Sequence, residues 1–533
     1  MKKLKRIGTV LLSAILGVFG VGAMSACNEK VAPDGETTLD IMILNKGFGT
    51  DWLYALKDAF EEKNPGITIT VKPEYSESTL DTAIGAGLEY NRYDLFFGGS
   101  VMNSQIEGQL KGNTDYFEDL AEVYEAVPEG ETRPIGEKFT TRLKDAYTFY
   151  EDGEERYFTM PWVLNVNGLL CNNEAVVKVL GENWHETYPC RTTDELIEFC
   201  TALSGKLSAF VHCADKQFYH FMYETWWAQY EGLEGIENFY SGLAYDELEG
   251  KYVTSTAIFE QPGRLAAMKV MERLFNPVNG FSMEESSGFT WNQAQMNFMA
   301  GNSAMFSNGD WNNIEMGKSF PDSDIRFIKM PIVSELGAKL GITETELRTA
   351  IDYADALSDG ESPAAPTMQS TQGLSSEEVL QAVCKARQVA HTTSQYFSAY
   401  VASYGLGKEL AKDFLIFMAS DEGQKIFADA TGGLTMPYSY DLESDSEGYA
   451  KYSEFAKSRW NIVKNADYFY YHFELPLGGA GLLPFEAVKL APIEVLMSRK
   501  NDPYTAQEIV DEDINYYGIP QRWTNLLRKA GLA

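Results

Sequence analysis

The chain has 533 residues, 44% hydrophobic and 23% charged, which is the composition of a folded globular protein and too long for one ordinary core, so two lobes are expected. A formal net charge of −33 repels phosphate backbones and anionic membrane surfaces, and excludes nucleic acid as a partner. Aromatics at 13% suit large cores, and they equally suit a protein that holds hydroxylated ligands against ring faces.

Met1 to Arg6 is basic and Val10 to Val21 is apolar, as in a secretory signal. Met24-Ser25-Ala26-Cys27 then leads small residues directly into a cysteine, which resembles the lipobox of bacterial lipoproteins. In that family the cysteine is acylated and becomes the first mature residue. Residues 1–26 are therefore expected to be a lipoprotein signal peptide, and 27–37 a lipidated polar tether. No later stretch offers the roughly 20 apolar residues that span a bilayer. Cys171, Cys190, Cys200, Cys213 and Cys384 match no zinc ribbon or disulfide framework. The five histidines include no pair at i, i+4, so no metal is expected.

Thr38 to Leu44 reads as a strand, followed by the Gly-bearing loop Asn45 to Thr50 and the N-cap candidate Asp51. Trp52, Leu56 and Phe60 fall on one helical face, Asn64-Pro-Gly66 stops the helix, and Ile67 to Val71 alternates as a second strand. This is a β-α-β unit with parallel strands. Phe48 lies at the carboxyl end of the first strand, either folded back on the helix or turned to a ligand. Tyr93 to Phe97 repeats the plan and ends in Gly98-Gly-Ser100, where backbone can approach a ligand and Ser100 offers a hydroxyl.

In Arg156 to Asn173, Pro161-Trp162 interrupts an extended apolar run, which makes a poor central strand and a better crossing between lobes. Trp162 there is either a hinge-packing residue or a cleft residue. Thr192 with Glu195 predicts a capping box. Tyr219, Tyr223, Trp226 and Trp227 share one side of a helix over Phe218 to Tyr230, a stripe that suits a core, although one of the tryptophans could reach ligand.

Next comes an elbow: a helix end at Met299, a turn, the strand Ala304 to Phe306, Asn308-Gly309, the N-cap candidate Asp310 and a helix from Trp311. Trp311 either staples the helix start to the core or serves as a stacking platform, with Asp310 accepting from hydroxyl groups. Ile325 to Val333 predicts a strand with a late Pro331. Ser334 to Ala402 shows no clear core pattern until Leu380 to Ala390, and reads as an elaborated surface region. Lys408 to Phe427 is amphipathic, and Thr431-Gly-Gly433 follows.

Gly301, Ala304, Met305, Gly309 and Trp311 together resemble the G-x-x-A-M-x-x-x-G-x-W signature of family 1 extracellular solute-binding proteins, the sugar-capturing subunits of ABC importers. Pro161-Trp162 with Gly168-Leu169 is similar to that family's first crossing, with Cys171 where a tyrosine is usual. Ser420 to Gln424 and Thr431 to Gly433 resemble its third. The resemblance implies a two-lobed α/β fold of the periplasmic-binding-protein type II. Each lobe is a mostly parallel sheet flanked by helices, and three crossings frame a ligand cleft. The first lobe is expected at 38–155 and 329–432, the second at 156–328 and 433–533. It further implies a carbohydrate ligand held by Phe48, Ser100, Trp162, Asn165, Trp227, Asp310 and Trp311. The implied partners are a membrane permease and its ATPase, and the protein would be a monomer, lipid-anchored at Cys27 on the outer face of the cell membrane. Neither catalysis nor a cofactor is expected. The alternatives are a surface glycoside hydrolase and a lipoprotein that binds a non-sugar solute.

Overall fold

A computed structural model describes residues 37–85, 92–98, 116–140, 143–213, 218–394, 397–469, 475–482 and 504–533. Cys27 and Ser100 lie outside these. The first β-α-β unit forms as its pattern dictates. Strand β1 (Thr37–Leu44) and strand β2 (Ile67–Glu74) pair in parallel, joined by helix α1 (Asp51–Lys63), which buries Trp52, Leu56 and Phe60. The chain then supplies β3 (Leu95–Gly98), β4 (Met160–Pro161), β5 (Asn167–Asn172), β6 (Ser208–Val211), β7 (Ser303–Gly309), β8 (Ile325–Ile328), β9 (Val389–His391), β10 (Ser398–Val401) and β11 (Asp467–Phe469).

Two sheets result, in the orders β2-β1-β3-β10-β4 and β11-β9-β5-β7-β6, with β8 also paired to β5. Strands of the β-α-β type are parallel, as at β1/β3 and β7/β6. Antiparallel pairs occur where a strand adjoins a lobe crossing. Strand β5 runs against β7, β8 and β9, and β10 runs against β3 and β4. A strand that starts at the lobe boundary must run away from it, whereas its neighbours run towards it. This yields the expected α/β architecture of two sheets, each with its own core: Ile41, Trp52, Phe97 and Phe414 in one, Leu169, Met222, Trp226 and Ile351 in the other. The sheets are mixed rather than mostly parallel as expected, because β5 and β10, which follow crossings, run against their neighbours.

The first crossing, Trp162 to Val166, falls where Pro161-Trp162 predicts it. The third lies between Thr431 and Leu442, close to the predicted Gly432-Gly433. The second is displaced. It was expected near residue 329, but the chain returns to the first sheet only between His391 and Ser398. The reason is the supposed surface region. Helices α2 (Glu335–Leu340), α3 (Glu344–Ser358) and α4 (Ser376–Arg387) bury Leu336, Leu347, Ile351 and Val383 in the core of the second lobe. Helix α3 presents Leu347, Ala350, Ile351 and Ala354 at helical spacing, and half of that stripe is alanine, which carries little hydropathy signal.

The amphipathic run from Lys408 is two helices, Lys408–Ala419 and Asp421–Thr431. Ser420 between them caps the second by accepting from the Gly423 amide. Cys200 is a buried core residue, as expected, and burial pushes the Cys171 thiol up to about 12. The position where a tyrosine is usual is thus an inert core site. Among the described residues, no helix is long and apolar enough to cross a membrane.

Candidate functional site

The elbow is built as its residues require. All seven residues of β7 are buried, and the chain turns at Asp310 into the short helix Trp311–Gly317. The Trp311 ring folds back over Gly309, where a Cβ would lie 2.1 Å from Trp311 Cζ3. Only glycine permits that contact, which gives the Gly-x-Trp pair a physical reason. The ring then sits at a seam between the lobes. Phe48, from the loop after β1, is 6.4 Å away, while Phe218 and Phe221 of the second lobe are at 5.7 and 6.2 Å, all in edge-on arrangements. The same loop meets the elbow helix through polar groups. The Gly47 amide donates to the Glu315 carboxylate, which also accepts from Gln295 at 2.9 Å. Burial raises the Glu315 pKa, and these two donors hold it partly down.

Beside this seam lies a cavity of about 510 Å³ whose walls come from both lobes, among them Asn45, Phe48, Asp51, Trp291, Asn292 and Glu315. Its size falls within the range of small-molecule sites. Trp311 does not line it, but packs against Phe48, which does. Trp291 does line it, and the sequence reading passed over that residue. It opens a helix whose capping box, Thr290 with Gln293, was the available signal.

The remaining singled-out residues lie behind the seam. Trp162 is buried, stacked on Trp52 at 4.4 Å and 18°, and its indole Nε1 has no hydrogen-bond partner among the described residues. Asn165 is fully buried between two crossings. Its Nδ2 donates to Asn167 Oδ1 and Thr393 Oγ1, and its Oδ1 accepts from Thr392, from the Thr393 amide and from Ser394. Every polar atom of that side chain is engaged within the protein.

Asp310 does not cap the helix with its side chain. Instead its Oδ2 accepts from Arg459 Nε at 2.6 Å and from the Val166 amide at 3.0 Å, while the Asp310 amide donates to the Val166 carbonyl. Arg459 also donates to the Leu164 carbonyl and, at 3.4 Å, to Thr435. Both charged side chains are 0% exposed, and burial raises the Asp310 pKa against the pull of Arg459. The pair therefore ties the elbow to the first and third crossings.

Trp227 belongs to the core of the second lobe. It packs on Phe239 and Arg264 and donates from Nε1 to Gln261 at 2.8 Å. None of its ring neighbours belongs to the aromatic seam.

Residues 55–457 match the sequence family described as bacterial extracellular solute-binding protein. Among solved structures, the chain is similar to one from work on xylan utilization by the thermophilic bacterium Caldanaerobius polysaccharolyticus, at 14% identity over 90% of this chain and 100% of that one, with a TM-score of 0.55. It is similar to apo RafE of Streptococcus pneumoniae at 14% identity, 92% and 99% coverage and a TM-score of 0.54. A chitin oligosaccharide binding protein aligns at 13% identity, 91% and 98% coverage and a TM-score of 0.53. At such identities the likeness shows the fold. No curated protein sequence matches the chain.

Proposed function

The chain belongs to the bacterial extracellular solute-binding proteins, and on that footing we propose that it captures a carbohydrate between its lobes and delivers it to an ABC importer. The observation that carries the sugar reading is the meeting of aromatic rings and polar groups at the lobe boundary. Phe48 and Trp291 line a two-sided cavity together with Asn45, Asn292 and Glu315, and Trp311 lies directly behind Phe48. Sugars present apolar ring faces and hydroxyl edges, and such walls can satisfy both. Buried polar groups left without partners by a wrong stereoisomer would cost about 1–3 kcal/mol each, so the site can discriminate. Relatives in fold include RafE in complex with raffinose and the chitin oligosaccharide binding protein, which supports the same class.

A ligand that touches both lobes favours their closed arrangement by its differential affinity. Phe48 and Trp291 are assigned the stacking role, with Trp311 holding the Phe48 ring from behind and Ser100 a further hydroxyl donor. Trp162, Asn165 and Asp310 support the boundary from behind. Acylation of Cys27 would hold the protein on the outer face of the membrane beside a permease and its ATPase, raising local concentration rather than affinity. The protein acts as a monomer and catalyses no reaction.

The test is calorimetric titration of the chain from Asn28 onward with a panel of neutral oligosaccharides, followed by mass spectrometry of the sugars. Saturable binding of intact sugar, abolished by Trp291→Ala or Trp311→Ala, is expected. Cleaved sugar would overturn the reading in favour of a hydrolase, and silence across the panel would remove the carbohydrate class.

A further inference from the structure

Behind Phe221, the second lobe gathers three potential metal ligands that the capture of a solute does not use. His220 and Glu224 are four residues apart on the helix His220–Glu231, so they leave one face a turn apart. His391 ends β9, directly before the second crossing. One ligand atom from each of these side chains lies within 4.8 Å of the other two. Glu224 Oε2 is 2.9 Å from His391 Nε2, and the two imidazole rings are 5.9 Å apart. Glu224 is 1% exposed, yet among the described residues its second oxygen, Oε1, has no hydrogen-bond partner. A buried carboxylate oxygen without a partner is costly and calls for a reason.

We propose that His220, Glu224 and His391 form a site for one first-row divalent metal ion of the zinc type. Two imidazoles and a carboxylate are the donor set of three-ligand zinc sites, with the fourth position open to water, and they suit neither calcium nor magnesium. Ligand atoms around tetrahedral zinc stand about 3.3–3.6 Å apart, given bonds of about 2.0–2.2 Å. Shifts on the order of an ångström bring this cluster to that geometry. Burial keeps His391 neutral, the form that offers a lone pair, by pushing it down to about 3. It pushes Glu224 up to about 7, so an arriving cation displaces whatever proton the carboxyl holds into solvent. If the proton of His391 sits on Nε2, it moves to Nδ1. The Asn167 amide, whose nitrogen is 3.0 Å from Nδ1, then turns its oxygen to accept it, giving up the bond it accepts from Asn165 Nδ2.

The location gives such an ion a mechanical consequence. Asn167 opens β5 at the end of the first crossing and pairs with His391 at the start of the second. An ion bound to His220, Glu224 and His391 would join the aromatic helix to the root of two crossings, beside the bonds that Asn165 makes to Thr392, Thr393 and Ser394.

The experiment uses the whole chain after exhaustive treatment with a chelator. Zinc binding is followed by calorimetry and by metal content per folded chain, and cobalt(II) substitution reports coordination by its visible bands. One equivalent is expected, with a zinc-dependent rise in melting temperature and the intense absorption of a tetrahedral cobalt site. His220→Ala, at a half-buried position, and Glu224→Gln, which keeps the volume and a hydrogen bond to His391, should each weaken zinc binding about tenfold or more and remove the cobalt bands. Failure of the folded protein to take up stoichiometric zinc would overturn the site. Uptake of unchanged affinity in both variants would also overturn it, placing the ion at cysteines or surface carboxylates.

Discussion

Replacing Asp310 by asparagine separates two roles that a carboxylate at the elbow could have. In the structure, Asp310 is the counter-charge of Arg459, and neither side chain reaches solvent. Asparagine keeps the volume and an oxygen that can still accept from the Val166 amide, so the perturbation is the loss of charge. Arg459 then remains buried with neutral acceptors among the described residues, the asparagine oxygen, the Leu164 carbonyl and Thr435, and with its counter-charge gone. Breaking one side of a buried pair costs about 3–5 kcal/mol, far more than an exposed pair is worth. The reciprocal change, Arg459→Met, should cost less. Burial already raises the Asp310 pKa, so the orphaned carboxyl can take up a proton, and the cost of that variant should shrink as pH falls. The double variant Asp310→Asn/Arg459→Met should be milder than the sum of the two, with a coupling of about 1–3 kcal/mol or more. Urea midpoints of the four proteins give the cycle, and thermal melting should show Asp310→Asn lower by on the order of 5 °C or more. A stability loss below about 1 kcal/mol combined with abolished ligand binding would refute this reasoning and return Asp310 to the ligand.

Trp227→Ala should destabilise by about 3–5 kcal/mol, as a core truncation does, whereas Trp311→Ala at the seam should cost less and remove ligand affinity; parallel melting and titration distinguish them. Gly309→Ala should force the Trp311 ring off its bed, costing about 1–3 kcal/mol and weakening ligand binding, and near-wild-type affinity would show that the ring's position does not matter. In the presence of chelator, Glu224 should make stability fall as pH rises from 4.5 to about 7. Over that window the unfolded chain releases the proton while the folded protein, with His220 and His391 facing the carboxyl, retains it. Glu224→Gln should flatten that part of the stability profile, and an unchanged slope there would assign it to other groups.

The elements that announce themselves through strong local periodicity were legible from the chain alone. The first β-α-β unit declares itself through Trp52, Leu56 and Phe60, and Pro161-Trp162 marks a crossing because proline fits badly in a central strand. The second crossing was not legible. Alanine-rich stripes such as Ala350 and Ala354 bury against neighbours without standing out in the sequence, so the helices Glu335–Leu340 and Glu344–Ser358 read as surface. The His220–Glu224 pair escaped for a different reason. Histidine spacing was searched against other histidines, and the third member, His391, is brought in only by the pairing of β9 with β5. Arg459 was likewise invisible, since nothing in its local sequence separates a buried cation from a solvated one.

Asp310 and Trp311 show why adjacent residues at one elbow need not share a task. Consecutive residues at a helix start leave it about 100° apart, so two neighbours on a turn address different surroundings. Trp311 goes to the seam, over Gly309 and towards Phe48 of the opposite lobe. Asp310 goes inward to Arg459 and Val166, where the first and third crossings meet. On the proposed function, a solute that presses on Phe48 would press on Trp311 behind it, and so on a residue whose neighbour is bound into the crossings. The Asp310 amide and carboxylate grip Val166 from both sides, and the Asn165 network begins at the next residue back. The proposed support of the ligand wall and the tie to the lobe crossings would then be separated by one peptide bond. An elbow of small, buried residues, Ser307-Asn308-Gly309, makes that coupling stiff.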